Sequence, residues 1–162
     1  MPQKDGKLRV EEFRQLLARE GYRVTPQRLA IYEALVAEPT HPSAEELYRR
    51  VRERYPMISP ATVYNTLQLL VRLGLATELG FHGETRYDGN PRPHANVLCL
   101  HCQRIHDVDE ELLEQVFASV RQRSGFLLLG QRHEFVGLCP DCQAKGITLE
   151  QVLDRQADEA LA

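Results

Sequence analysis

Leu8, Phe13, Leu16 and Leu17 recur at helical spacing and Gly21 closes the run, so the pattern predicts an amphipathic first helix. Thr25-Pro26-Gln27-Arg28 predicts the start of a second. Thr caps the free amides there, and Pro occupies the first turn, where its missing N–H does no harm. Ile31, Ala34 and Leu35 form its inward face. Ser43 followed three residues later by Glu46 has the form of a capping box. The helix it opens carries Leu47 and Val51 and stops before Pro56. Ser59-Pro60 repeats the Thr-Pro device and opens a fourth helix with the stripe Val63, Leu67, Leu70 and Val71, ended by Gly74.

After Gly74 the period changes. Residues 75–79 and 84–87 predict two short strands around a turn at Phe81-His82-Gly83. Helices followed by a small hairpin outline a winged helix-turn-helix. Asn90-Pro91-Arg92-Pro93 suits neither helix nor strand and reads as a linker. Beyond it the pattern predicts strands at 97–100 and 104–108, a helix over 110–123, and a long strand over 126–138. From Ile147 onward, Ile147, Leu149, Val152 and Leu153 fit an amphipathic helix. The expected class is α+β. Residues 1–88 form the winged helix, 89–93 a hinge, 94–145 a second domain and 146–162 a tail.

Composition adds two constraints. Net charge is −3 over 162 residues, but residues 1–88 carry 13 Lys and Arg against 12 Asp and Glu, and residues 89–162 carry 7 against 11. The slight positive bias sits in the helical half. No apolar run approaches the roughly 20 residues that span a bilayer, and the first ten residues lack a signal-peptide core. A cytoplasmic protein with no membrane partner is expected. In a reducing cytosol, four cysteines suggest a metal before disulfides.

Those cysteines form two knuckles, Cys99-Leu100-His101-Cys102 and Cys139-Pro140-Asp141-Cys142. Thiolates three positions apart on a tight turn can both point at one ion. Two such pairs supply a closed tetrahedral sulfur set, which favours one structural Zn²⁺ per chain. The set leaves no open coordination position, so this zinc holds structure and does not catalyse. Thiol redox chemistry on CxxC is the reading from another class, but no βαβ pattern surrounds either pair. His101 and His106 read as exposed or hydrogen-bonded histidines.

A second constellation is scattered: His41, Asp88, His94, Asn96 and Asp107. His94 and Asn96 alternate on one strand face, and Asp107 lies on the next strand. A nitrogen and oxygen set without sulfur suits Fe²⁺ or Mn²⁺ better than zinc. Spacing alone cannot assemble these five, and each taken singly reads as a solvated polar residue.

Several motifs in series carry a resemblance. Thr25-Pro26-Gln27-Arg28, His41-Pro42-Ser43-Ala44-Glu45-Glu46-Leu47-Tyr48, Ser59-Pro60-Ala61-Thr62-Val63-Tyr64-Asn65-Thr66-Leu67, Arg86-Tyr87-Asp88, His94 and both CxxC pairs together resemble the ferric uptake regulator superfamily over residues 8–145. The resemblance implies a homodimeric, metal-dependent transcriptional repressor that is not an enzyme. It also implies that residues 94–145 are a zinc-stapled dimerisation domain. Within the superfamily the chain is most similar to the peroxide-sensing repressors. Asp107 stands eight after Cys99, where iron sensors usually have Glu, and Asn65 follows Tyr64, where iron sensors more often have Arg.

The resemblance assigns His41, Asp88, His94, Asn96 and Asp107 to one regulatory Fe²⁺ or Mn²⁺ per chain. Asn96 departs from the commoner His, and Gln131 stands where iron sensors place a further metal-binding His. Bound Fe²⁺ could then react with peroxide and lead to oxidation of a ligand histidine. A manganese- or iron-responsive uptake regulator is the alternative within the same superfamily. The expected partner is a double-stranded DNA operator. Thr62, Tyr64 and Asn65 lie on the early turns of the helix that begins at Ser59, away from its apolar stripe, where recognition helices read bases. Arg28, beside the helix start at Thr25-Pro26, is the candidate phosphate contact.

Overall fold

The computed structural model describes residues 8–81, 84–90, 92–109, 111–128 and 131–160. The chain divides into two compact units, residues 1–92 and 93–162. Each is described by itself.

The first unit holds four helices and a hairpin: α1 (Val10–Arg19), α2 (Pro26–Val36), α3 (Ala44–Arg54), α4 (Pro60–Arg72), β1 (Thr77–Phe81) and β2 (Glu84–Asp88). The capping chemistry sets the helix starts. Thr25 Oγ1 accepts from Arg28 N, Ser59 Oγ accepts from Thr62 N, and Ser43 and Glu46 close a reciprocal capping box. The apolar stripes then meet in one core of Phe13, Leu17, Ile31, Leu35, Leu47, Val63, Leu67 and Leu70, all fully buried. Tyr32 joins them: its ring centroid lies 4.3 Å from that of Phe13, and its hydroxyl donates to Leu8 O at 2.9 Å.

β1 and β2 pair antiparallel from Thr77↔Asp88 to Phe81↔Glu84. The first strand starts two residues later than the apolar pattern suggested. Gly74 adopts φ +69° and Leu75 N donates back to Leu70 O at 2.9 Å, so residues 74–75 still belong to the helix ending. The expected turn at His82-Gly83 lies outside the described residues. Gln68 Nε2 on α4 donates to Glu78 on β1 at 2.6 Å and ties helix to hairpin.

The second unit holds β3 (Ala95–Cys99), β4 (Ile105–Val108), α5 (Leu112–Ser124), β5 (Glu134–Gly137), α6 (Pro140–Ala144) and α7 (Leu149–Ala160). Its sheet has the order β4-β3-β5, with β4 antiparallel and β5 parallel to β3. The long strand expected over 126–138 shrinks to the four residues of β5; positions 129–130 lie outside the described residues. The reason is the partner. β3 is five residues long and pairs β5 only from Asn96↔Glu134 to Cys99↔Gly137, so residues 126–128 have no ladder to join. Phe126 and Leu127 are accordingly exposed. The amphipathic tail is helical as α7, with Val152 buried. No described helix is long and apolar enough to cross a membrane.

Candidate metal centres and nucleic-acid interface

β3 runs directly into the first cysteine knuckle and β5 leads into the second. Because the strands are parallel neighbours, Cys99 stands opposite Gly137, two residues before Cys139. The four sulfurs converge with every pair within 4.8 Å. Cys99 Sγ lies 3.8 Å from Cys142 Sγ, and Cys102 Sγ lies 3.8 Å from Cys139 Sγ. A tetrahedral set with Zn–S bonds of about 2.3 Å spaces its sulfurs at roughly 3.8 Å. The residues therefore fit zinc.

The protonation chemistry agrees. Burial pushes the Cys99 thiol up, but backbone N–H groups of Cys102, Cys139 and His101 outweigh it and hold the thiol at about 6. Cys142 is pushed up to about 12 by burial and by the other thiols of the set. Four thiols this close cannot all ionise without a cation among them, and a divalent ion removes that conflict. Donors surround the sulfurs. Cys139 N–H points at Cys99 Sγ at 3.3 Å, and His101 Nδ1 lies 3.3 Å from Cys142 Sγ. Arg104 Nε donates to Cys102 Sγ at 3.4 Å. His101 is thus a hydrogen-bonding neighbour of the sulfur set. The contact of Arg104 was not legible in the pattern; its place two residues after the knuckle was the available signal.

His41 and Asp88 meet within the first unit. His41 has φ +53°, a left-handed conformation that costs a non-glycine residue of order 1–3 kcal/mol. The surrounding contacts enforce it. Tyr87 N donates to Pro42 O at 3.0 Å, Arg86 Nη1 donates to His41 O at 3.3 Å, and Ser43 bridges Arg86. This zips residues 41–43 to β2 and sets His41 Nε2 3.8 Å from Asp88 Oδ1, both side chains buried. Asp88 Oδ1 also accepts from Asn90 N at 2.7 Å.

His94, Asn96 and Asp107 meet within the second unit. β3 begins at Ala95, so His94 immediately precedes the strand instead of lying on it. Asn96 pairs directly with Asp107 across the ladder, and His94 Nε2 lies 3.8 Å from Asp107 Oδ1. His94 and Asn96 are buried, and Asn96 Oδ1 has no hydrogen-bond partner among the described residues. Both imidazole–carboxylate separations exceed hydrogen-bond reach. They match two ligands on one ion, since atoms about 2.1 Å from a metal stand no more than roughly 4.2 Å apart. An orphaned amide oxygen beside them is the right donor for a hard or borderline divalent ion.

On α4 the core face holds Val63, Thr66, Leu67 and Leu70, which leaves Asn65 exposed and Tyr64 51% exposed. Tyr64 is therefore a surface residue of this helix and not a core one. Thr62 is half-buried and its hydroxyl lies 2.9 Å from Ser59 Oγ, so it completes the cap. Arg28 donates to Arg23 O. The arginine run on α3 is partly engaged: Arg50 pairs with Glu38, Arg54 lies 3.6 Å from Glu33, and Arg52 stacks over Tyr48.

A profile of the ferric uptake regulator family matches residues 19–135. The chain is 37% identical over 130 residues to the peroxide-responsive repressor PerR of Staphylococcus saprophyticus, covering 80% of this chain and 88% of that one. It resembles the solved Campylobacter jejuni peroxide stress regulator with a TM-score of 0.67 and 30% identity, over 79% of this chain and 97% of that chain. The Vibrio cholerae ferric uptake regulator matches with a TM-score of 0.62 and 28% identity, over 78% and 99%. The fold is that of these regulators, an N-terminal winged-helix DNA-binding domain followed by a C-terminal dimerisation domain. The chain thus belongs to the ferric uptake regulator family, a family of regulators rather than enzymes.

Proposed function

We propose that this chain is a metal-dependent, DNA-binding transcriptional repressor that senses peroxide. The observation that carries this reading is the pair of imidazole–carboxylate contacts, His41–Asp88 and His94–Asp107, each at 3.8 Å with a buried imidazole. An imidazole nitrogen and a carboxylate oxygen at this separation suit two ligands of one divalent cation, and such nitrogen and oxygen donors fit Fe²⁺ or Mn²⁺. In this reading His41 and Asp88 from one unit, and His94, Asn96 and Asp107 from the other, hold one regulatory Fe²⁺ or Mn²⁺. Cys99, Cys102, Cys139 and Cys142 hold one structural Zn²⁺.

Ligands drawn from both units would fix how the winged helices of a dimer are spaced. Operator half-sites have a set separation, so metal-bound and metal-free forms differ in DNA affinity. α4 presents Tyr64 and Asn65 to base edges, with Asn suited to adenine and Tyr to a thymine methyl. Thr62 positions the first turn of α4, and Arg28, beside the start of α2 at Thr25-Pro26, is the candidate phosphate contact. The second unit exposes Phe135 and Val136 on the edge strand β5, together with Leu112, Val116 and Val120 on α5. A second copy of the chain would cover these apolar side chains and the open edge.

His41 and His94 would hold an ion that, as Fe²⁺ and far less readily as Mn²⁺, supplies redox chemistry toward hydrogen peroxide; overall a ring would gain one peroxide oxygen and the other would leave as water. His41 and His94 offer the only imidazoles of the proposed set, and imidazole is more oxidisable than carboxylate or amide. Gain of one oxygen atom by either ring removes a ligand and with it the DNA-competent form. The test is operator binding with Mn²⁺ and with Fe²⁺, before and after peroxide, followed by mass spectrometry of tryptic peptides. Oxygen on His41 or His94 in the Fe²⁺ form alone is expected. Oxidised Cys99 or Cys139 with untouched histidines would replace this reading by thiol sensing, and an Fe²⁺ form indifferent to peroxide would indicate an uptake regulator.

A further inference from the structure

Three of the four cysteines are buried, and only Cys102 is partly open to solvent. Arg104 lies on that one. Its Nε donates to Cys102 Sγ at 3.4 Å, while its Nη2 donates to Asp141 Oδ2 at 2.8 Å. Asp141 sits inside the second knuckle, so one guanidinium spans from the first Cys pair to the second. We propose that Arg104, held by Asp141, is a positioning residue that shields the Cys102 thiolate and thereby keeps the zinc set intact in the presence of hydrogen peroxide. The inference rests on the zinc reading above.

The chemistry is two-electron oxidation. A thiolate sulfur attacks one peroxide oxygen, the O–O bond breaks, and the products are sulfenic acid and hydroxide. Sulfur is oxidised, peroxide is reduced, and the sulfenic sulfur no longer serves as a thiolate ligand to zinc. Four thiolates on one Zn²⁺ leave an excess of two negative charges, which raises electron density at every sulfur. The buried three are protected by access alone. Cys102 needs a second protection, and Arg104 gives two. An N–H donated into the sulfur lone pair withdraws the electrons that would attack, and the planar guanidinium occupies part of the open approach.

The clamp is itself exposed: the Arg104 and Asp141 side chains are 52% and 64% accessible. An ion pair this open contributes little to folding. Its removal should therefore change reactivity and leave the fold alone, which separates the two roles experimentally.

The experiment follows zinc release from the full-length dimer with a metallochromic dye during exposure to hydrogen peroxide. The wild-type chain, Arg104→Ala, Arg104→Lys and Asp141→Asn are each first checked for zinc content and melting temperature. Wild type should hold one zinc per chain and lose it slowly. Arg104→Ala should start with the same zinc content and melt, and then release zinc about tenfold faster. Its first oxidised site in peptide maps should be Cys102. Arg104→Lys retains the charge without the planar donor and should fall between them, as should Asp141→Asn. Release from Arg104→Ala at the wild-type rate or slower would overturn the shielding role. The same holds if its first oxidation fell on a buried cysteine. A wild-type chain without zinc would instead overturn the zinc reading itself. Should Arg104→Ala lose zinc before any peroxide, the Lys and Asn variants decide, since intermediate release from a zinc-replete variant supports shielding and wild-type release overturns it.

Discussion

Asn96 faces Asp107 across the β3–β4 ladder, and its buried Oδ1 has no hydrogen-bond partner among the described residues. Directly opposed residues on antiparallel strands share a face, so the amide oxygen and the carboxylate address the same space as His94. Asn96→Ala removes that donor and should weaken Mn²⁺ binding about tenfold. Asn96→His offers a stronger nitrogen ligand at the same place and should bind at least as tightly as wild type. Isothermal titration of Mn²⁺ into the zinc-replete dimer measures both. Equal affinity for wild type and Asn96→Ala would remove Asn96 from the set.

Loss of one knuckle ligand should be far more severe. Structural zinc contributes roughly 10–16 kcal/mol to folding in small zinc domains. Cys139→Ser is expected to abolish stoichiometric zinc, unfold the second unit and dissociate the dimer. Circular dichroism with zinc analysis reads this out, and a zinc-free variant with an unchanged melting curve would contradict it.

The proposed reading of DNA by α4 separates two kinds of contact. Tyr64→Ala and Asn65→Ala should each weaken operator binding by about 1–3 kcal/mol while leaving random DNA nearly unaffected. Arg28→Ala should weaken both alike, as a phosphate contact does. Competition of operator against random duplex in fluorescence anisotropy distinguishes them. An intact operator preference in Asn65→Ala would mean that another surface reads the bases.

Phe135 and Val136 are 55% and 60% exposed on the edge strand β5. Phe135→Glu places a charge on that apolar face and should yield a monomer in analytical ultracentrifugation, with the first unit still folded. A dimer of wild-type strength would locate the interface elsewhere.

Glu38 gives a pH signature. The Thr40 hydroxyl donates to it at 2.5 Å and Arg50 pairs with it, which together hold its carboxyl below the ordinary range against the effect of burial. A lowered folded value means stability that is present above the unfolded value and lost as pH falls through the folded one. Glu38→Gln should therefore lower stability by less than about 1 kcal/mol at neutral pH. The difference from wild type should shrink as pH falls below the ordinary carboxylate range and vanish once Glu38 is protonated in the folded state. A deficit that persisted in acid would assign the effect to packing instead of charge.

The helical half was legible because capping chemistry is local. Thr25, Ser43 and Ser59 each announce a helix start within four residues, and the structure places the caps there. The second half depended on partners distant in sequence. Nothing in residues 126–138 states that β3 is too short to pair with most of them. Tyr32 does not stand out among the inward residues Ile31, Ala34 and Leu35 in the pattern, yet it is buried and its hydroxyl finds Leu8 O, 24 positions away. The cysteine set was legible from spacing. The oxygen and nitrogen donors were not, since the left-handed turn at His41 depends on contacts with Arg86 and Tyr87 far along the chain.

The parallel pairing of β3 with β5 has a consequence for how the chain is made. A parallel neighbour cannot be reached by a hairpin; it requires a crossover, here through α5. During synthesis Cys99 and Cys102 emerge about forty residues before Cys142, and β3 can close only on β4. Until the crossover swings β5 into place, the first knuckle has half a coordination shell and an ion captured there is held weakly. On the zinc reading, metal loading is therefore a late checkpoint. It rewards only chains that have already closed the long-range pairing, and a chain that misroutes α5 is left with four loose thiols and no staple.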